Sequence, residues 1–214
     1  MIVEIHHEVL ELSPTGALYW PANKALFIAD AHIGKVMHFR KNGIALPTEV
    51  RFSFYEKIAH LLTQFEVATL YFLGDLFHSD HNSEWVDFCR WANQQAFKKV
   101  LIEGNHDILP KTRFEQAGLE VYTALDLAPF YLSHHPIEAT APKINLCGHL
   151  HPGVRLKGLG GQYLKAPCFY KKPHQLILPA FGGFTGMYII KPTAEDQVYV
   201  LGESAVIAVN KMKK

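Results

Sequence analysis

Three runs of mostly apolar residues, Ala25-Leu26-Phe27-Ile28-Ala29, Ala68-Thr69-Leu70-Tyr71-Phe72-Leu73 and Val100-Leu101-Ile102, read as strands buried on both faces. The stretches between them carry a helical period. From Thr48 to Phe65, residues Phe54, Ile58, Leu61, Leu62 and Phe65 fall on one helix face, and Ser83 through Phe97 repeats the pattern with Trp85, Phe88, Cys89, Ala92 and Ala96. Asn82 or Ser83 serves as its N-cap. This alternation predicts a layered α/β sheet. Ahead of it, Val9-Leu10 and Ala17-Leu18-Tyr19-Trp20 flank the turn sequence Ser13-Pro14-Thr15-Gly16, which predicts an opening hairpin with His6 and His7 in its first strand. Beyond Asp107 the chain has a short amphipathic piece around Arg113-Phe114-Glu115. Short strands then follow at Val121-Tyr122, Phe130-Tyr131-Leu132, Ile144-Asn145-Leu146-Cys147, Val154-Arg155-Leu156 and Leu176-Ile177-Leu178. Without long helices between them, they predict mostly a second sheet packed on the first. Gly158-Leu159-Gly160-Gly161 reads as a hairpin turn, Gly182-Gly183-Phe184-Thr185-Gly186 as a tight backbone crossing, and the tail to Lys214 as one or two strands with a basic end.

At 214 residues the chain is the size of a single domain. It is 49% apolar and 19% charged with a formal net charge of +1, so it is globular, and its charge neither demands nor excludes a polyanionic partner. The three cysteines, Cys89, Cys147 and Cys168, lack CxxC spacing, which argues against a disulfide framework or a structural zinc site and favours a reducing cytoplasm. No apolar run approaches the ~20 residues of a membrane span, and the N-terminus lacks signal-peptide features. The expectation is a soluble cytoplasmic protein without a membrane partner.

The chemistry gathers where strands end. The first apolar run ends in Asp30-Ala31-His32, the second in Gly74-Asp75, the third in Gly104-Asn105-His106-Asp107; two later strands end in Ser133-His134-His135-Pro136 and Gly148-His149-Leu150-His151. In open α/β sheets, ligands bind beyond the carboxyl ends of strands. If the strand continues that far, Asp30 and His32 point to the same side. Asp30, His32, Asp75, Asn105, His134, His149 and His151 supply four imidazoles, two carboxylates and an amide. One ion rarely takes so many ligands and leaves room for substrate, whereas two ions sharing a carboxylate do, so the site is expected to be dinuclear. The mixed donors suit Mn²⁺ best, with Fe or Zn²⁺ also compatible, and disfavour Mg²⁺. Lys35 and Arg40 are candidates for a substrate phosphate, although Gly34-Lys35 lacks the rest of a P-loop, and His78 is a substrate-side candidate. His6, His7, His38, His60, His81 and His174 read as structural or surface residues.

The order D-x-H, G-D, G-N-H-D, H, G-H-x-H, from Asp30 to His151, resembles the calcineurin-like metallophosphoesterase superfamily. Leu18-Tyr19-Trp20-Pro21, Ile28 through Lys35, Phe39-Arg40, Pro167-Cys168-Phe169 and Leu178-Pro179-Ala180-Phe181 through Gly186 extend the likeness over nearly the whole length. They resemble the ICC-like branch, also called ligase-associated DNA damage response endonucleases. Ala31 stands where that branch suggests Leu, at a position expected to face away from the metals; His135 stands where many members have Gly, and order favours His134 as the ligand, leaving His135 on the substrate side.

The resemblance implies an α/β fold, a two-sheet β-sandwich flanked by helices in a four-layer αββα arrangement. It implies Asp30, His32, Asp75 and His151 on one divalent ion and Asp75, Asn105, His134 and His149 on a second. Two ions bridged by Asp75 at about 3.5–4 Å would acidify a shared water for in-line attack on phosphorus. His106 would then protonate the leaving oxygen and Asp107 orient its ring. The implied substrate is a phosphodiester, DNA in the branch named, with DNA-repair helicase or ligase partners. Fold and site chemistry do not choose the substrate, so hydrolysis of a small phosphorylated or pyrophosphate-containing metabolite is the alternative, and a metal-free scaffold a third reading. Lys35, Arg40, Arg155, Lys157, Lys171 and Lys172 offer a basic strip for nucleic acid, while no aromatic stacking platform stands out.

Overall fold

A computed structural model describes residues 1–35, 53–77, 83–137, 143–158, 160–183 and 185–209. The first sheet contains β1 (Ile2–Ile5), β2 (Glu8–Leu12), β3 (Leu18–Trp20), β4 (Ala25–Ile28), β5 (Thr69–Leu73), β6 (Lys98–Ile102) and β7 (Glu120–Tyr122), in that order. Pairing is antiparallel from β1 to β4 and parallel from β4 to β7. The second sheet contains β8 (Ala124–Leu127), β9 (Phe130–Ser133), β10 (Ile144–Cys147), β11 (Pro152–Lys157), β12 (Tyr163–Lys172), β13 (Gln175–Ile177) and β14 (Tyr188–Ile189), in the order β14-β11-β12-β13-β10-β9-β8. β15 (Gln197–Leu201) and β16 (Val206–Val209) branch from β12.

Residues two apart share a strand face, and this sorts the apolar runs into layers. Ala25, Phe27, Tyr71, Leu73, Val100 and Ile102 point between the sheets, where they meet Phe130, Leu132, Leu146, Phe169, Leu176 and Leu178. Leu26, Ile28, Leu70, Phe72, Leu101 and Val121 point outward against helices α1 (Ser53–Gln64), α2 (Ser83–Gln94) and α3 (Lys111–Gln116). The helices face that layer with Phe54, Ile58 and Leu61, with Trp85, Phe88 and Ala92, and with Phe114, as a 3.6-residue period requires. Cys89 also packs there.

The two mixed sheets and their helices confirm the α/β fold, with local corrections. The N-terminus makes two hairpins rather than one: His6 and His7 form the turn between β1 and β2, both left-handed at φ 55° and 65°. Ser13–Gly16 makes the second turn, with Gly16 N–H donating to Ser13 O. Helix α2 stops at Gln94, leaving Ala96 exposed in the following loop. β7, expected among the second-sheet strands, joins the first sheet beside β6 because Val121 is buried under the helices. Among the described residues helices cover only the first sheet's outer face. The corresponding face of the second sheet buries a smaller cluster around Cys168, Val198 and Val200, so the fourth layer is not supplied by a described helix. Sequence positions 36–52, with Arg40 and the expected start of the first helix, and 78–82, with His78 and the Asn82 cap, lie outside the described residues.

Candidate metal centre

Five strands end around one point. β4 leads to Asp30 and His32, β5 to Asp75, β6 to Asn105, β9 to His134, and β10 to His149 and His151. Asp30, His32, Asp75 and His134 are 0%, 5%, 2% and 2% exposed, so two carboxylates and two imidazoles are withdrawn from water together. Asp30 and His32 do not converge along an extended strand as expected. β4 stops at Ile28, and both residues take left-handed backbone, at φ 52° and 46°. Asp75, His149 and His151 do the same, at φ 50°, 67° and 47°. This conformation costs an L-residue roughly 1–2 kcal/mol, and such strain gathers at functional sites. Hydrogen bonds to the neighbouring loop offset it: Asp30 N–H donates to Gly74 O at 3.1 Å and His32 N–H to Asp75 O at 2.9 Å.

The ring nitrogens show what the cluster is built to hold. His134 Nδ1 lies 3.0 Å from Leu73 O, and since a carbonyl only accepts, the proton sits on Nδ1. Nε2 then faces Asn105 Oδ1 at 3.1 Å, His149 Nδ1 at 3.2 Å and Asp75 Oδ1 at 3.4 Å. His151 repeats the arrangement, with Nδ1 donating to Gly186 O at 3.1 Å and Nε2 facing His32 Nε2 and Asp30 Oδ1, each at 3.4 Å. Ring nitrogens and oxygens thus converge at two adjoining points. A cation at either point would meet several ligand atoms, and the outward-pointing Nδ1–H bonds of His134 and His151 fix the tautomers that such ligands need. Three donor groups have ligand atoms within 4.8 Å of one another: Asp30, His32 and His151; Asp30, Asp75 and His134; and His134, His135 and His149.

The sequence profile of the calcineurin-like phosphoesterases matches residues 24–149, more than half of the chain. The chain belongs to this family. The solved structure of the Pseudomonas putida nuclease MPE is similar along almost its entire length, with 30% identity, a TM-score of 0.82, and coverage of 97% of this chain and 99% of that one. A protein of unknown function from Aquifex aeolicus shares 20% identity over 58% of this chain and 77% of its own, with a TM-score of 0.41. No curated protein matches the chain at a significant level. The family, the similar nuclease and the donor cluster together make the chain a metal-dependent phosphoesterase.

In this phosphoesterase the residues around the donors are as constrained as the donors. A Cβ on Gly74 would lie 2.1 Å from His134 Nδ1, one on Gly104 2.2 Å from Asp75 Oδ1, and one on Gly148 2.6 Å from Asp30 Oδ2. Each glycine precedes one donor in sequence and clears space for a donor from another strand. Asp30 accepts His149 N–H at 3.1 and 2.9 Å, and Asp75 Oδ1 accepts His106 N–H at 2.8 Å, so the carboxylates also tie the loops together. Asp107 holds its own loop, its Oδ1 and Oδ2 accepting Phe77 N–H at 3.0 Å and Gly104 N–H at 2.9 Å. Lost hydration pushes its carboxyl up to about 7 even though these amide bonds pull it down. The ring of His106 stands edge-on to His32, 5.4 Å between centroids. Burial disfavours the His151 cation, but the adjoining Asp30 outweighs it and raises the pKa; burial and the neighbouring His135 and His134 lower that of His149.

Lys35 closes the turn after His32, its N–H donating to His32 O at 3.2 Å, and is half-buried, which lowers its pKa against a smaller opposing pull from Asp75. His135 is exposed, with its ring 4.0 Å from that of His149, whereas His134 is buried among the donors. Ala31 faces the helix layer, away from the donors as expected. Gly182 N–H donates to Asp30 O at 3.1 Å and Phe181 N–H to Ala29 O at 2.8 Å, so the expected backbone crossing lies directly beneath Asp30.

Two supporting residues escaped the sequence reading. Glu84, at the start of α2 and 4% exposed, accepts Gly34 N–H at 2.9 Å and so holds the loop behind His32. Asn145, 0% exposed within β10, donates to Tyr131 O at 3.0 Å and Ser133 Oγ at 2.8 Å and accepts Ile137 N–H at 3.1 Å. Ser133 Oγ in turn donates to His135 O at 2.7 Å, so one buried amide secures the loop bearing both histidines. A polar residue inside an apolar strand run was the available signal for Asn145; an acid in a first helical turn is too common to mark Glu84.

Proposed function

We propose that this phosphoesterase is a two-metal phosphodiesterase that cleaves nucleic acid in DNA repair. The observation carrying the proposal is the convergence of imidazole and carboxylate ligand atoms at two adjoining points with Asp75 between them. Asp75 Oδ1 lies 3.4 Å from His134 Nε2 and Oδ2 lies 3.8 Å from His32 Nε2, as suits a carboxylate shared by two ions. Asp30, His32, Asp75 and His151 would hold one ion, and Asp75, Asn105, His134 and His149 the other. The imidazole-rich set favours Mn²⁺, Fe or Zn²⁺ over Mg²⁺. Bound there, such a pair supplies Lewis-acid stabilisation and an acidified water at neutral pH.

The protein's own groups account for the rest. His106, held over the site by its backbone bond to Asp75, gives its proton to the leaving oxygen, a role worth about 10²–10⁴ in rate. Asp107 fixes the loop that sets the height of His106, and Lys35 and His135 flank the donors where phosphate oxygens would lie. The likeness to nuclease MPE supports a nucleic-acid substrate, and the sequence resemblance to the ligase-associated branch supports a repair setting with helicase or ligase partners.

The test is metal content together with turnover of the Mn²⁺-loaded protein on chromogenic phosphodiester and phosphomonoester substrates, then on DNA, with Asp75→Asn as control. Two ions per chain, diester activity and DNA cleavage, with activity lost in the control, are expected. Monoester preference without DNA cleavage would instead favour a small metabolite, and full activity in Asp75→Asn would remove the shared carboxylate from the mechanism.

A further inference from the structure

We infer that one face of the ribbon formed by β11 and β12 is a track for single-stranded nucleic acid leading to the metal centre. The inference rests on the nuclease reading. In the antiparallel register Gly153 lies opposite Pro167, Arg155 opposite Lys165 and Lys157 opposite Tyr163, and opposite residues share a face. That face therefore carries Arg155, Lys157, Lys165 and Tyr163 with no carboxylate among the paired positions. All four are exposed. Leu164, on the other face, is 63% exposed and Tyr163 56%, so the outer part of the ribbon meets water on both sides and stands out from the body. The Arg155 guanidinium lies over one face of the Tyr163 ring, 4.5 Å from its centroid, which holds a cation against the aromatic plane.

The ribbon starts beside the site, since β11 begins at Pro152, the residue after His151. Pro152, Pro167 and Met187 line a cavity of about 460 Å³ that His151 also borders. From Pro167 to Tyr163 is about 13 Å at ~3.3 Å per residue, so the cations are spaced along the ribbon outward from its His151 end. This changes the strip expected from sequence. Lys171 instead donates to the carbonyl oxygens of Lys172 and Pro173, at 2.6 and 3.1 Å, while Lys165 joins the strip and Tyr163 supplies a stacking surface. Spaced cations with one exposed aromatic plane suit unpaired bases, whose faces are free to stack. In a duplex those faces are covered.

The experiment uses Asp75→Asn as the background for binding, so that substrate is held without being cut. Anisotropy of a labelled oligothymidylate is measured against salt for that protein, for Arg155→Ala/Lys157→Ala/Lys165→Ala and for Tyr163→Ala. The same ribbon changes in the otherwise unaltered enzyme are assayed for metal content and small-diester turnover. Removing three phosphate contacts is expected to make the slope of log affinity against log salt shallower by about 2, at ~0.7 per contact for a single strand. The triple variant should bind at least about ten-fold more weakly at low salt and Tyr163→Ala about five-fold or more. Metal content and small-diester turnover should not change. Unchanged slope and affinity, or tighter ribbon-dependent binding of a duplex, would overturn the track. DNA cleavage by the unaltered enzyme with unaffected ribbon variants would overturn the track alone; small-diester hydrolysis without any nucleic-acid cleavage would overturn the nuclease reading and the track with it.

Discussion

Gly104 and His106 have separable tasks although both adjoin Asn105. Gly104 clears space: Gly104→Ala would drive a methyl toward Asp75 Oδ1, 2.2 Å from the ideal Cβ, and displace the carboxylate proposed to be shared. Metal affinity should fall about 10–100-fold, the usual loss when the surroundings of a ligand are disturbed, with little change in the far-ultraviolet circular dichroism; metal-competition titration reads it. His106 is assigned to proton delivery, so His106→Ala should retain both ions yet lose about 10²–10⁴ in turnover on a diester with a poor leaving group. The loss should shrink as the leaving group becomes more acidic. Equal losses across a leaving-group series would reduce His106 to a structural part. The residue types of the centre were legible from short contiguous motifs. Their conformations were not, because five donors stand in left-handed backbone that only bonds to neighbouring loops sustain.

At the scale of elements, the loop after β9 depends on β10 through Asn145. Asn145→Leu would strand Ile137 N–H and two oxygens without their partner, a change expected to cost about 2–4 kcal/mol in urea unfolding. It should also weaken metal binding through His134, whereas Leu146→Val, a small core truncation, should cost about 0.5–1.5 kcal/mol and leave the metal alone. The loop before β15 is tied to β12 by Asp196, which accepts Thr193 N–H at 2.7 Å, Thr193 Oγ at 3.0 Å and Tyr170 OH at 2.8 Å. Partial burial pushes its pKa up, but these bonds outweigh it and hold the pKa below the ordinary value. A depressed folded pKa means the stabilisation is complete above the unfolded value, near 4, and is lost as pH falls through the folded one. Asp196→Asn should therefore be less stable at neutral pH and should lose less stability than the parent on acidification below about pH 4, measured by urea unfolding across pH. The central strands were legible from their apolar runs and the two long helices from a period of 3.6, whereas the half-exposed β8, β12 and β14 carried no such run. The His6-His7 turn and the place of β7 were not, since each depends on which neighbour completes a face.

For the whole molecule, the centre joins both sheets, so emptying it should loosen the fold as well as the chemistry. Asp30 and Asp75 are almost fully buried, and without a metal ion they rest on hydrogen bonds from the loops and on the neighbouring imidazoles. Chelation should lower Tm by roughly 5–10 °C relative to protein held at about a hundred-fold excess over Kd, where binding contributes about 2.7 kcal/mol. Calorimetry with and without chelator checks this, and an unchanged Tm would mean the cluster holds no ion in solution. The sequence by itself determined the α/β class, the alternation of strands and helices from β4 to β6, and the set of candidate donors, because buried strands, amphipathic helices and D-x-H or G-N-H-D motifs are written within a few consecutive residues. Tertiary structure alone decided how those donors face one another, which glycines make room for which ligands, and that Glu84 and Asn145 secure the loops. It alone also placed Arg155, Lys157, Tyr163 and Lys165 on one ribbon face. Those are contacts between residues distant along the chain, fixed by strand register and sheet packing, and no local pattern of residues encodes them.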